Sequence, residues 1–121
     1  MVSKDLTETL CKISKSNPTY ITYPVPEFPM NIPKAITKNA FFNRSIPITM
    51  SYENYLKRSS KVRDVIHNSA KTCRVTTIDP AKILCPDNQC ISTYKGRPIY
   101  RDGDHLSEYG NKLLVPMFRE Y

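Results

Sequence analysis

The chain has 121 residues, a formal net charge of +7, 40% hydrophobic residues, ten prolines and three glycines. That length is the ordinary size of one domain and suffices for one core. No apolar run approaches the ~20 residues of a membrane-crossing helix, and the first fifteen residues lack the apolar centre of an export signal, so a free chain with this start is expected in the cytoplasm.

Leu6, Leu10 and Ile13 repeat at helical spacing, which predicts a helix over residues 3–15 with one buried stripe. Asn17-Pro18 ends it, because the residue before proline avoids the helical region. Thr19 to Tyr23 is β-branched and aromatic and reads as a strand, stopped by Pro24, Pro26 and Pro29. Residues 31–50 read as a long proline-bounded connection with room for one short helix. Ser51 is placed to cap a helix from Tyr52 to about Ala70, with Tyr55, Val62, Val65 and Ile66 as its apolar face. Arg74 to Ile78 reads as the next strand. Asp79-Pro80 starts a single helical turn through Leu84, and an irregular piece containing Gly96-Arg97-Pro98 follows the next loop. The last helix runs from near Ser107 to about Phe118, burying Leu106, Tyr109, Leu113, Leu114 and Met117. Helix, strand, long helix, strand, helix is an α/β order, for which a parallel sheet is the economical solution. Two strands are few for such a sheet, so either further strands are missed by this reading or the chain is part of a larger domain.

The basic residues are scattered. Their densest run, Lys57, Arg58, Lys61 and Arg63, falls on the long helix and reads as a solvated face ahead of a binding patch. Nucleic acid is therefore not an expected partner, because basic charge alone supports it.

Cys85 and Cys90 bound the loop C-P-D-N-Q-C, with Pro86, Asp87 and Asn88 as turn formers. A local disulfide is the favoured reading. Free thiols come second, and a metal is a poor third because no second ligand pair accompanies them. Cys11 and Cys73 are open: they pair, or they serve as small buried hydrophobes.

Of the two histidines, His67 lies on the long helix and reads as a surface residue. His105 sits in Y-R-D-G-D-H-L-S, a turn leading into the last helix. Asp102 is three residues earlier and within reach of the imidazole Nδ1–H across such a turn. That contact fixes the tautomer and leaves Nε2 as a general base. Asp104 competes, but a neighbour at i−1 is expected to point away. Ser107 reads as a helix cap rather than a nucleophile.

Residues 73–110, from C-R-V-T-T-I-D-P through L-C-P-D-N-Q-C to G-R-P-I-Y-R-D-G-D-H-L-S-E-Y-G, resemble the C-terminal end of an SGNH-hydrolase-like domain. The match is to the periplasmic SGNH domain fused to membrane acyltransferases that O-acetylate bacterial surface polysaccharides of the lipopolysaccharide O-antigen type. Residues 20–29, Y-I-T-Y-P-V-P-E-F-P, resemble the strand and V-P connection of the same family. The resemblance implies a partial flavodoxin-like three-layer α/β fold with a short parallel sheet, in which residues 1–121 are the C-terminal portion and the N-terminal strands are missing. It implies Asp102 and His105 as acid and base of a Ser-His-Asp triad, and no cofactor or metal. It implies a polysaccharide acceptor, an acyl donor and a membrane acyltransferase domain as partners, and a periplasmic location within a membrane-anchored parent.

The family also carries a G-D-S block with the nucleophilic serine, and a glycine and an asparagine for the oxyanion hole. This sequence contains no G-D-S and no G-x-N-D, and its glycines all follow residue 95. A base without a positioned hydroxyl has nothing to activate. The expectation is an acetyltransferase or esterase fragment, inactive alone, whose open sheet edge disfavours a compact monomer. The alternative is a non-catalytic basic α/β module that binds polysaccharide or a partner subunit.

Overall fold

The computed structural model describes residues 2–120, with side chains from residue 4 onward. In chain order the elements are α1 (Val2–Ser14), β1 (Tyr20–Thr22), α2 (Ile32–Phe41), β2 (Thr49–Ser51), α3 (Tyr52–Cys73), β3 (Thr76–Ile78) and α4 (Ala81–Leu84). A 3-10 turn (Pro86–Asn88), β4 (Gln89–Ile91), β5 (Thr93–Tyr94), β6 (Arg97–Pro98) and α5 (Glu108–Phe118) follow. This is a mixed α/β chain with small sheets. It divides into two compact units, Met1–Pro24 with Lys57–Pro80, and Val25–Leu56 with Ala81–Tyr121.

The first unit is a doubled helix-and-strand. β1 and β3 pair in parallel with Ile21 opposite Thr77, the parallel pair expected from the element order. Leu10, Ala70, Cys73 and Val75 form a buried cluster against which Leu6, Cys11 and Ile21 pack. α1 and α3 lie side by side. Thr7 Oγ1 meets Ser69 Oγ at 2.7 Å, and the Ser14 hydroxyl donates to the Cys73 carbonyl at 3.0 Å. Cys11 is disulfide-bonded to Cys73, which resolves the reading left open by sequence.

The facing stripe of α1 is thus Thr7, Leu10, Cys11 and Ser14. Leu6 and Leu10 of the expected stripe pack at the cluster, whereas Ile13 is exposed. Val62 is also exposed rather than buried. It lies about two turns before Ser69 on α3.

α3 continues to Cys73 rather than stopping near Ala70, and β3 starts at Thr76 rather than Arg74. Arg74 takes φ 58° and closes the helix in the left-handed region, with the Val75 N–H on the Ala70 carbonyl at 2.8 Å. Glycine usually marks that position, and here none does. Arg63 leaves the solvated face. It holds the Asp79 carboxylate through two nitrogens, at 2.9 and 3.4 Å, and lies 4.1 Å over the Tyr23 ring.

In the second unit, Asn31 caps α2 by accepting the Lys34 N–H at 3.0 Å, and a proline occupies its first turn. Proline at that position costs nothing, because its missing N–H would have had no helical partner. The region read as a connection therefore holds a ten-residue helix and a strand. β2 pairs antiparallel with β4, Met50 opposite Cys90. Ser51 ends β2 and caps α3 as expected, its hydroxyl accepting the Asn54 N–H at 3.1 Å. Cys85 and Cys90 are bonded. Asp87 and Asn88 turn that loop at φ 53° and 64°, a region that Asp and Asn tolerate better than most residues. The stretch read as irregular is a hairpin, β5 on β6. Its turn residues Lys95 and Gly96 both have positive φ, as a two-residue primed turn requires.

Candidate acid–base site

The loop from Arg101 to Leu106 is built from its flanks inward. Tyr100 and Leu106 form an isolated antiparallel bridge, and the Arg101 N–H donates to the His105 carbonyl at 2.9 Å. Ser107 then caps α5, its hydroxyl accepting the Gly110 N–H at 3.1 Å. That is the role expected for it.

The segment after Pro24 supports the other side. The Tyr100 hydroxyl donates to the Pro26 carbonyl at 2.6 Å, and the Tyr100 ring meets Phe28 edge-on at 5.2 Å. The Phe28 N–H donates to the Gly103 carbonyl at 2.8 Å, and the Ile32 N–H to the Asp102 carbonyl at 3.1 Å. Gly103 is required by this fit. A Cβ there would stand 2.6 Å from the Met30 carbonyl oxygen and 2.7 Å from that of Phe28. Burial pushes the Tyr100 phenol well above its ordinary range, with Tyr55 and Glu27 adding to the shift. It therefore stays a donor.

Within this frame Asp102 folds back over its own loop. One carboxylate oxygen accepts the backbone N–H groups of Asp104 at 2.9 Å and His105 at 2.7 Å. The other lies 2.9 Å from His105 Nδ1. The two backbone donors, Asp104 first, hold the Asp102 carboxyl well below the usual carboxylate range, and the side chains of His105 and Asp104 lower it further. An ionised carboxylate only accepts, so the proton belongs on Nδ1 and Nε2 is the basic nitrogen. The imidazole is 59% exposed and the Asp102 side chain 37%.

Asp104 departs from expectation. Its Oδ1 also lies 2.9 Å from Nδ1, so the imidazole faces two carboxylates. Gly103 lies between the two aspartates, seated against the Phe28 and Met30 carbonyls. The D-G-D sequence was the available signal. Tyr100, Pro26 and Gly103 were also missed as supports, because their roles depend on a partner segment some seventy residues distant.

Asp102, Asp104 and His105 present potential ligand atoms within 4.8 Å of one another. The Asp102 oxygens already accept from two N–H groups and approach the ring. His67 is exposed on α3, with its Nδ1 3.4 Å from the Tyr23 hydroxyl. A groove of about 630 Å³ in the first unit runs between α1 and α3. Its Thr7 and Ser69 hydroxyls bond each other.

Residues 1–120 match the family of SGNH domains, described as fused to AT3 domains. The chain belongs to this family. In it, the SGNH domain is joined to a membrane acyltransferase domain. No curated protein and no solved structure matches the chain. None of the described helices of this SGNH chain is long and apolar enough to cross a membrane.

Proposed function

We propose that this chain is the C-terminal portion of the SGNH domain of a bacterial surface-polysaccharide O-acetyltransferase, with Asp102 and His105 as the acid and base of a Ser-His-Asp triad. The observation that carries the reading is the 2.9 Å approach of Asp102 to Nδ1, on the D-x-x-H motif of a chain in this family. The three-layer fold and the N-terminal strands would be completed by segments outside these residues. The parent protein would be membrane-anchored and periplasmic.

In this reading the serine comes from outside the 121 residues. Its Oγ attacks the donor's acyl carbonyl carbon while Nε2 takes the hydroxyl proton. The tetrahedral intermediate collapses, and the leaving group departs with that proton. A sugar hydroxyl then attacks the acyl-serine, giving its proton to Nε2. Collapse returns the proton to serine and leaves the acyl group on the sugar. Asp102 holds the ring in place throughout. The oxyanion donors must also come from outside, and each is worth roughly 3–4 kcal/mol of transition-state stabilisation.

The test is a chromosomal His105→Ala replacement, with the O-acetyl content of the cell's surface polysaccharide read by NMR. Loss of O-acetyl groups at unchanged protein level supports the reading. Unchanged O-acetylation overturns it.

A further inference from the structure

α2 and the turn after it carry a surface that the acid–base chemistry does not use. Phe41 is 82% exposed and Phe42 56%, and Ile46 is exposed a few residues later in the following turn. The two phenyl rings stand edge to face at 5.1 Å, and the Arg44 guanidinium lies 4.9 Å from the Phe42 centroid. Lys34 and Lys38 sit at i,i+4 on α2, and with Pro33, Thr37, Phe41 and Phe42 they line a shallow groove of about 400 Å³. The opposite face of the helix is anchored by Ile32, which is fully buried. From Phe28 through Tyr52 the sequence contains Lys34, Lys38 and Arg44 and no Asp or Glu. Exposed aromatic rings flanked by cations, with no carboxylate to repel phosphate, match the chemistry of an anionic lipid surface. A bilayer interface would bury these two phenylalanines.

We infer that the C-terminal end of α2 and the following turn, centred on Phe41 and Phe42, dock onto an anionic membrane surface. The inference is independent of the triad assignment. It has a consequence for geometry, because α2 begins where the Ile32 N–H holds the Asp102 carbonyl. Its ten residues span about 15 Å. Docking by α2 therefore holds the Asp102–His105 loop within a short distance of the lipid surface, where a membrane domain works.

The chain contains no tryptophan, so Phe41→Trp supplies a single reporter. The experiment adds vesicles of phosphatidylglycerol and phosphatidylcholine, or of phosphatidylcholine alone, to the Phe41→Trp chain. The expected result is a blue-shifted, brighter emission with the anionic vesicles, reversed by high salt. In co-sedimentation of the unlabelled chain, Phe41→Ser with Phe42→Ser should weaken vesicle binding about tenfold or more. Lys34→Gln and Lys38→Gln should each weaken it about fivefold. Circular dichroism melting confirms that the variants stay folded. Emission unmoved by anionic vesicles overturns the inference, as does vesicle binding that survives loss of both phenylalanines. A blue shift that grows with protein concentration without lipid assigns the surface to a second copy of the chain, and overturns it too.

Discussion

The Tyr100 hydroxyl donates to the Pro26 carbonyl at 2.6 Å, with both residues enclosed, and this bond ties the acid–base loop to the segment before α2. Tyr100→Phe keeps the ring packing and leaves a buried carbonyl unpaired. The expected loss is about 1–3 kcal/mol of stability, read by denaturant unfolding. The raised phenol also sets a pH dependence. The unfolded tyrosine ionises near pH 10 while the folded one stays protonated, so the unfolded state binds fewer protons above about pH 10 and stability falls there. Tyr100→Phe should flatten that alkaline decline.

Gly103→Ala should be costlier than its single methyl implies. The new Cβ would press on two backbone carbonyl oxygens, of Met30 and Phe28, neither of which can swing aside as a side chain can. We expect a loss of about 1–3 kcal/mol from overpacking, with displaced His105 ring resonances in NMR spectra. Gly96→Ala is the contrast. Its Cβ would meet open space, and only the positive φ of 77° penalises it, at roughly 1 kcal/mol. His105 resonances should not move.

The parts of the molecule legible in sequence were those specified locally. Ser51 and Ser107 announced their helices through cap chemistry, and both hydroxyls accept the expected N–H. The β1 and β3 strands followed from β-branched and aromatic runs, and their parallel pairing from the intervening helix. What stayed hidden was specified at a distance or without its usual residue. Arg74 ends α3 where glycine would have been the signal. Thr7, Cys11 and Ser14 form a helix contact that apolar periodicity cannot see. β2 has only three residues and exists through its partner β4. At the site, the Asp102–His105 spacing was readable because it is local, whereas the clamp on Gly103 depends on residues far earlier in the chain.

The two disulfides should contribute unequally. Cys11 and Cys73 are separated by 62 positions and Cys85 and Cys90 by 5. On a chain-entropy estimate the first stabilises by about 4 kcal/mol and the second by about 2 kcal/mol. Replacing Cys11 and Cys73 together by serine should therefore lower the denaturation midpoint more than the same change at Cys85 and Cys90. Equal effects would contradict the loop-length argument.

Asp102 should resist acid. Its folded carboxyl is held below the ordinary value of about 3.9, so its contribution to stability is fully present above that value. The contribution is lost as pH falls through the depressed folded value. A carboxyl-carbon NMR titration should place Asp102 below the range of an unperturbed aspartate. Titration at the ordinary value would show that the Asp104 and His105 N–H donors do not hold it.

In the proposed function, Asp102 and His105 are an acid–base pair and the nucleophile comes from elsewhere. The most direct measurement is p-nitrophenyl acetate turnover by the purified 121-residue chain beside its His105→Ala variant. The expected result is no saturable turnover from either, with rates no higher than free imidazole gives. Saturable turnover by the unsubstituted chain, abolished by His105→Ala, would contradict it.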